Sequence, residues 1–219
     1  TWSMRGTGRL RPRRFNFALS LQSDLNRFCL DMDKALVATF TDELISGNFS
    51  EIENYFRDAG TPTPVIKWSP ASTDLDEDAL RILLSYWNEM PRGRNLPLTS
   101  ELDPLNMRGA LGYVMLLGVE DDAWDFRYRV YGTSIAERSG FDATGKLISE
   151  LALHPMEPFF LASYRACVLR LDYMFARHVP PTRVHTASWD RIILPLEDDD
   201  GVVNRLLVGN VPGRWEANR

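Results

Sequence analysis

Between Leu21 and Ser46 the apolar residues Leu21, Leu25, Phe28, Met32, Leu36 and Phe40 return every three or four positions. That is the stripe of an amphipathic helix, and Gly47-Asn48 supplies its stop. A shorter helix is expected over 50–58, with Ser50 as its cap and Ile52, Tyr55 and Phe56 on its buried side. The stretch from Gly60-Thr-Pro-Thr-Pro64 to Ser69-Pro-Ala-Ser72 is dense in proline. Proline removes a backbone donor and disfavours helix before it, so this stretch reads as an extended linker. Asp74 then offers an N-cap, with Asp76, Glu77 and Asp78 near the positive end of the helix dipole. Ala79, Leu80, Leu83, Leu84 and Trp87 form the apolar face of that helix, which Pro91 and Gly93 end. A breaker-rich loop leads to a helical turn or two over 105–111.

From Gly112 the period changes from helix to strand. Residues 113–120 are a continuous apolar run of strand length, and 125–131 alternate, with Phe126, Tyr128 and Val130 on one face. Asp121-Asp122-Ala123 makes the turn between them. Short helical pieces are expected over 132–145, and a stronger helix over 157–171. Three strands follow, over 173–178, 184–196 and 202–210, the last two joined by the acidic turn Glu197-Asp-Asp-Asp-Gly201. Helices set between runs of antiparallel strands predict an α+β domain with a five-stranded antiparallel sheet and a helical insert. Its first strand is apolar on both sides, so both faces should be covered. The covers are the insert and the helix that starts at Asp74. The organisation read from the chain is a basic arm (1–20), a helical extension (21–58), a linker (59–73) and the α+β domain (74–213).

Composition adds little beyond a globular chain: 219 residues, 44% hydrophobic and 25% charged. Cys29 and Cys167 have no disulfide-framework or metal-ligand spacing, which fits a reducing cytoplasm. No stretch reaches the roughly 18 apolar residues of a membrane span. The apolar run after the arm is broken by Asn16 and lacks an A-x-A site, so no signal peptide is expected. Charge changes the picture more. Arg5, Arg9, Arg11, Arg13 and Arg14 lie in a stretch with no acid, leaving 20 basic against 30 acidic residues in the rest. So acidic a body repels a phosphate backbone, and nucleic-acid binding would rest on the arm alone. The arm is either an electrostatic tether to nucleic acid or anionic lipid, or a solvated tail.

A set of short motifs carries a likeness. In order they are Leu84-Ser-Tyr86-Trp87, Arg92-Gly-Arg94-Asn-Leu-Pro97 and Asp103-Pro104. Phe126-Arg-Tyr-Arg129-Val-Tyr-Gly132-Thr133, Gly140-Phe-Asp142-Ala-Thr-Gly145-Lys and Arg191-Ile-Ile-Leu-Pro195-Leu follow. Together they resemble a family of short bacterial PAS-like proteins, over about residues 75–211. The resemblance implies a PAS-type fold, a five-stranded sheet cradling a helical pocket, and a role in signalling. It implies no particular ligand, because a scaffold does not dictate a chemistry.

On that reading the pocket is lined by Tyr128, Val130, Ile135, Phe160, Tyr164, Phe175, Ile192 and Leu194. Arg129 is the candidate polar anchor, able to grip a ligand carboxylate through two N–H groups. A structural pair with Asp103 or Asp142 is the plainer alternative. Tyr86 and Trp87 serve either helix packing or a dimer or ligand surface. His154, just ahead of the helix at Glu157, is the candidate haem ligand, with a surface histidine as the ordinary alternative. His178 and His185 lack a third ligand, so no metal site is expected. Cys167 is a flavin anchor, an oxidant sensor or a small buried hydrophobe. No motif specific to haem or flavin supports either cofactor. Gly132, Gly140 and Gly145 do not form a dinucleotide fingerprint, and Ser134, Ser139 and Ser163 have no nucleophile-elbow context. No catalytic residue is assigned.

The expectation is a non-enzymatic sensory or regulatory module in the cytoplasm. It binds a small ligand or a protein partner and signals through flanking helices or homodimerisation. The alternatives are a small-molecule enzyme on an α+β cone, and a nucleic-acid- or membrane-associated regulator working through the arginine arm.

Overall fold

A computed structural model describes residues 34–151, 156–180 and 188–213. The arginine arm, His154 and His185 lie outside the described residues.

Helix α1 covers residues 34–46 and buries Val37, Phe40 and Leu44. Gly47 ends it with φ of 78°, a conformation that glycine adopts without steric cost. Helix α2 (Ser50–Asp58) buries Ile52 and Phe56. Ser50 does not cap it: Phe49 holds the cap position, and the buried Glu43 carboxylate of α1 accepts from the N–H groups of Glu51 and Ile52 at 2.8 and 2.9 Å. That remote carboxylate satisfies donors a helix start leaves open, and no local motif announces it.

The segment read as linker contains a strand, β1 (Val65–Trp68). Helix α3 (Asp78–Glu89) begins four residues later than expected, with Glu77 at its cap. Asp74 belongs instead to a short 3₁₀ turn, where its carboxylate accepts from Ala71 N–H at 2.7 Å and pairs with Lys67 at 2.5 Å. A 3₁₀ stretch over Pro104–Tyr113 leads into β2 (Val114–Glu120) and β3 (Asp125–Tyr131). Then come α4 (Thr133–Ser139), α5 (Ile148–Leu151) and α6 (Glu157–Arg170). Strands β4 (Met174–His178), β5 (Trp189–Glu197) and β6 (Val203–Pro212) complete the order.

Among the described residues the sheet is antiparallel throughout and has six strands, not five, in the order β1-β4-β5-β6-β2-β3. All nine residues of the central β5 are buried, as a strand covered on both faces requires. One cover is α3. A Cβ at Gly209 of β6 would stand 2.6 Å from Leu83 Cδ1 and 2.7 Å from Leu80 Cδ2, so the helix rests directly on the β6 backbone. Trp87 of α3 is 3% exposed, and its Nε1 donates to Pro195 O at 2.9 Å. The Tyr86 hydroxyl accepts from Asp103 N at 2.6 Å. Both residues therefore pack the helix in place. The other cover is α6, buried over most of its circumference, because it is held between the sheet and the N-terminal helices. Phe159 of α6 meets Phe56 of α2 edge to face at 5.0 Å.

Strand β3 departs from strict alternation. Leu116 pairs with Val130 and Leu117 with Tyr128, so Arg129 is an extra, bulged residue. A bulge reverses which face the following residues present. Val130 is consequently turned outward and 45% exposed. Tyr131, which strict alternation puts on the face opposite Tyr128, comes round to meet Tyr128 edge to face at 5.2 Å.

Candidate functional site

The side of the sheet that faces α4–α6 holds a cavity of about 200 Å³. Its floor is sheet and its walls are helix. Across the floor runs a register row in which Arg191 of β5 lies between Ala176 of β4 and Asn210 of β6. A second row places His178 beside Trp189. Met115, Tyr128 and Tyr131 extend the floor, and Ile135, Ser139, Phe141, Leu151, Glu157 and Phe160 close it from the helical side.

Arg191 is the unusual member. It is only 6% exposed, yet no carboxylate among the described residues lies within ion-pair distance. Its Nε donates to Asn210 Oδ1 at 3.3 Å, and its guanidinium carbon lies 4.1 Å from the Phe160 ring centroid and 5.6 Å from that of Tyr164. Two aromatic faces and one amide oxygen hold the planar group in position. The Nη donors have no acceptor among the described residues. Tyr128 is buried beside it, and its hydroxyl makes no side-chain hydrogen bond among those residues. Burial pushes the Tyr128 phenol well above its usual value, so the group stays neutral and can donate. The Tyr131 hydroxyl donates to Ser139 Oγ at 3.4 Å, and its phenol too is raised by burial.

Three of the expected lining residues are brought together here: Tyr128, Ile135 and Phe160. Tyr164 lies beneath the lining, fully buried against Phe126 at 5.4 Å and behind Arg191. Phe175, Ile192 and Leu194 point to the other face. Phe175 pairs with Ile192, one step out of phase with the Ala176–Arg191 row, and Ile192 shares the α3 side with Leu80 and Leu83 around Gly209. Val130 is lost to the bulge. Arg129 is not the anchor: it is half-exposed on the outer face, where its Nη2 meets Glu120 Oε1 at 2.9 Å. Arg127 meets the same oxygen at 3.3 Å. The structural pair thus exists, with Glu120 in place of Asp103 or Asp142. Arg191 opens the last of the quoted motifs but is given no role by the sequence, where it stands beside Asp190 at the edge of the apolar run Ile192-Ile-Leu-Pro-Leu196. Tyr131 and Asn210 carried no signal either.

The PAS domain family profile (PAS_5) matches residues 75–209. The chain belongs to the PAS domain family. Among solved structures, an RNA-binding light-oxygen-voltage receptor is similar over 91% of this chain, with 9% identity and a TM-score of 0.39. The chain spans 65% of that receptor's length. No curated protein matches.

Family membership makes the chain a PAS-type sensory domain, a class that binds small ligands or proteins. Among the described residues, the cavity of this PAS domain does not fit the two cofactors weighed above. At about 200 Å³, the cavity falls below the roughly 300 Å³ at which pockets for drug-sized ligands begin, and both haem and a flavin exceed that size. Cys167 does not line it. That thiol is fully buried in α6 and pushed well above its usual range by burial, the opposite of a reactive cysteine. Among the described residues, no three His, Cys, Asp or Glu side chains gather as a metal site needs. No helix among them is long and apolar enough to cross a membrane.

Proposed function

We propose that this PAS domain is a non-enzymatic sensory module of the cytoplasm that takes a small molecule into the cavity between its sheet and α4–α6. It passes the occupied state to a protein partner, or to a second copy, through the helices flanking the sheet. One observation carries the reading: an aromatic cavity lined by Arg191 and Tyr128, whose Nη and hydroxyl donors have no acceptor among the described residues. Few polar groups set among apolar walls are what orient a ligand.

A route for output supports it. His178, at one end of β4, lines the cavity, and β4 pairs along its length with β1. Trp68 of β1 donates from Nε1 to Leu44 O of α1 at 2.9 Å, and Arg170 of α6 lies over the same indole at 4.5 Å. A shift of β4 or α6 on ligand entry therefore acts on the N-terminal helices. A ligand biases such packings by its differential affinity for them.

The test is native mass spectrometry of the freshly purified chain, followed by hydrogen exchange with and without the molecule it retains. A retained small molecule whose removal raises exchange in both α6 and residues 34–68 supports the reading. A chain that carries no ligand and shows no thermal shift across a metabolite library overturns it.

A further inference from the structure

Resting on that reading, we infer that the ligand is a small organic carboxylate with a flat or apolar body, held by Arg191 at the sheet floor and by the Tyr128 hydroxyl.

A buried guanidinium without a counter-ion is costly. Taking a charge out of water costs several kcal/mol, and close partners must repay it. Here the described residues return one hydrogen bond to the neutral Asn210 side chain and contacts with the Phe160 and Tyr164 rings. Among the described residues the half-buried Arg81, Arg127 and Arg177 close ion pairs with Asp78, Glu120 and Asp190, and the half-buried Arg165 and Arg205 donate to backbone carbonyls. Arg191 is more deeply buried than these, has neither kind of partner among the described residues, and borders open space. The missing acceptor is thus expected to enter from outside.

The shape of the site narrows its class. A guanidinium presents parallel N–H donors that match the two oxygens of a carboxylate. A neutral phenol can add a third donor. The remaining walls are chiefly aromatic and aliphatic: Met115, Ile135, Phe141, Phe160 and Trp189. They suit an apolar body and offer little to a sugar or a nucleotide. Aromatic walls alone would also suit an alkylammonium ligand, but the buried positive charge repels one. The lining acid Glu157 is half-buried at the start of α6, whereas Arg191 is buried on the sheet, so the inner end of the cavity is the cationic end. Size agrees. An apolar cavity of about 150 Å³ accepts benzene, and 200 Å³ leaves room for one ring or a short chain with a carboxylate arm.

The experiment titrates the full chain calorimetrically with benzoate, phenylacetate and hexanoate. Their neutral amides serve as shape controls, and the titrations are repeated on Arg191→Met, Arg191→Lys and Tyr128→Phe. At least one acid is expected to bind about tenfold or more tightly than its amide, the scale of a charge-assisted pair. Arg191→Met should abolish that preference, with the acid losing more affinity than the amide, and Tyr128→Phe should cut the preference about threefold. The comparison of acid with amide needs no variant, so it holds even if Arg191→Met fails to fold. Equal binding of acid and amide overturns the carboxylate and leaves the ligand-binding module standing. Binding of neither series overturns both.

Discussion

Replacing Trp87 tests whether α3 is a core element of the sensory domain or an ornament on its surface. The indole is 3% exposed, packs at 4.9 Å on the Tyr173 ring and donates from Nε1 to Pro195 O at 2.9 Å. The Arg92 guanidinium covers it at 4.8 Å. Truncating a buried aromatic to alanine costs about 3–5 kcal/mol, because transfer energy is lost and a cavity remains. Phenylalanine keeps much of the volume but strands the Pro195 carbonyl, a loss of about 1–2 kcal/mol. The two variants should therefore differ by about 2 kcal/mol or more in urea unfolding monitored by circular dichroism. For a chain of this length 1 kcal/mol moves the melting temperature by about 2–4 °C, so Trp87→Ala should melt roughly 6–20 °C lower. A loss below about 1 kcal/mol for Trp87→Ala would refute the packing of α3 on β5. Equal losses for both variants would refute the division between volume and hydrogen bond.

Three further outcomes follow from the same geometry. Gly209→Ala drives a methyl into Leu83, Leu80 and Ile192, at 2.6, 2.7 and 3.1 Å, and should destabilise the chain by about 1–3 kcal/mol in urea, and Leu83→Ala should cost less in that chain than on its own. Arg177→Met leaves the Asp190 carboxylate, 2% exposed, without the guanidinium that meets it at 2.7 and 2.5 Å. It should cost about 3 kcal/mol, the low end of a broken buried pair because the arginine is partly wet, and adding Asp190→Leu should return most of it. Stability should fall as pH rises above about 9. The unfolded chain loses its Cys167 proton around 9.0 and its Tyr128 and Tyr164 protons around 10.0, while burial holds all three groups protonated to higher pH in the folded chain. Below that range the contribution is fully present. Thermal melts from pH 7 to 11 check this, and Cys167→Ala should move the onset up toward 10.

Much of the fold was legible because period and burial coincide. The continuous apolar run of β2 marks a strand covered on both faces, and the helix from Glu157 ends one residue short of the expected Leu171. What escaped depends on partners distant in the chain. Strand β1 has only four residues, with Val65 56% exposed, so it shows no buried stripe. Its prolines are strand-end punctuation and not a linker signal. Asp74 has the right chemistry for a helix start but spends it on Ala71 and Lys67, while Glu43 caps α2 from another helix. The candidate site was half legible for the same kind of reason. Alternation puts Tyr128 on the face where the cavity lies and then fails at Arg129, since a bulge is a property of the β2–β3 pairing. Phe175, Ile192 and Leu194 are expected in the pocket lining, but a strand covered on both sides gives no hint of which face each residue takes.

The edge position of β1 bears on how the molecule can be dissected. The family match begins at residue 75, whereas the sheet begins ten residues earlier, with Val65 opposite Arg177. A fragment cut to the matched boundaries would lose that outermost strand and bare the backbone donors and acceptors of β4. Bared edges of this kind recruit other chains. Excision at residue 75 should thus yield an aggregating product, and one that includes Val65–Trp68 a tractable one.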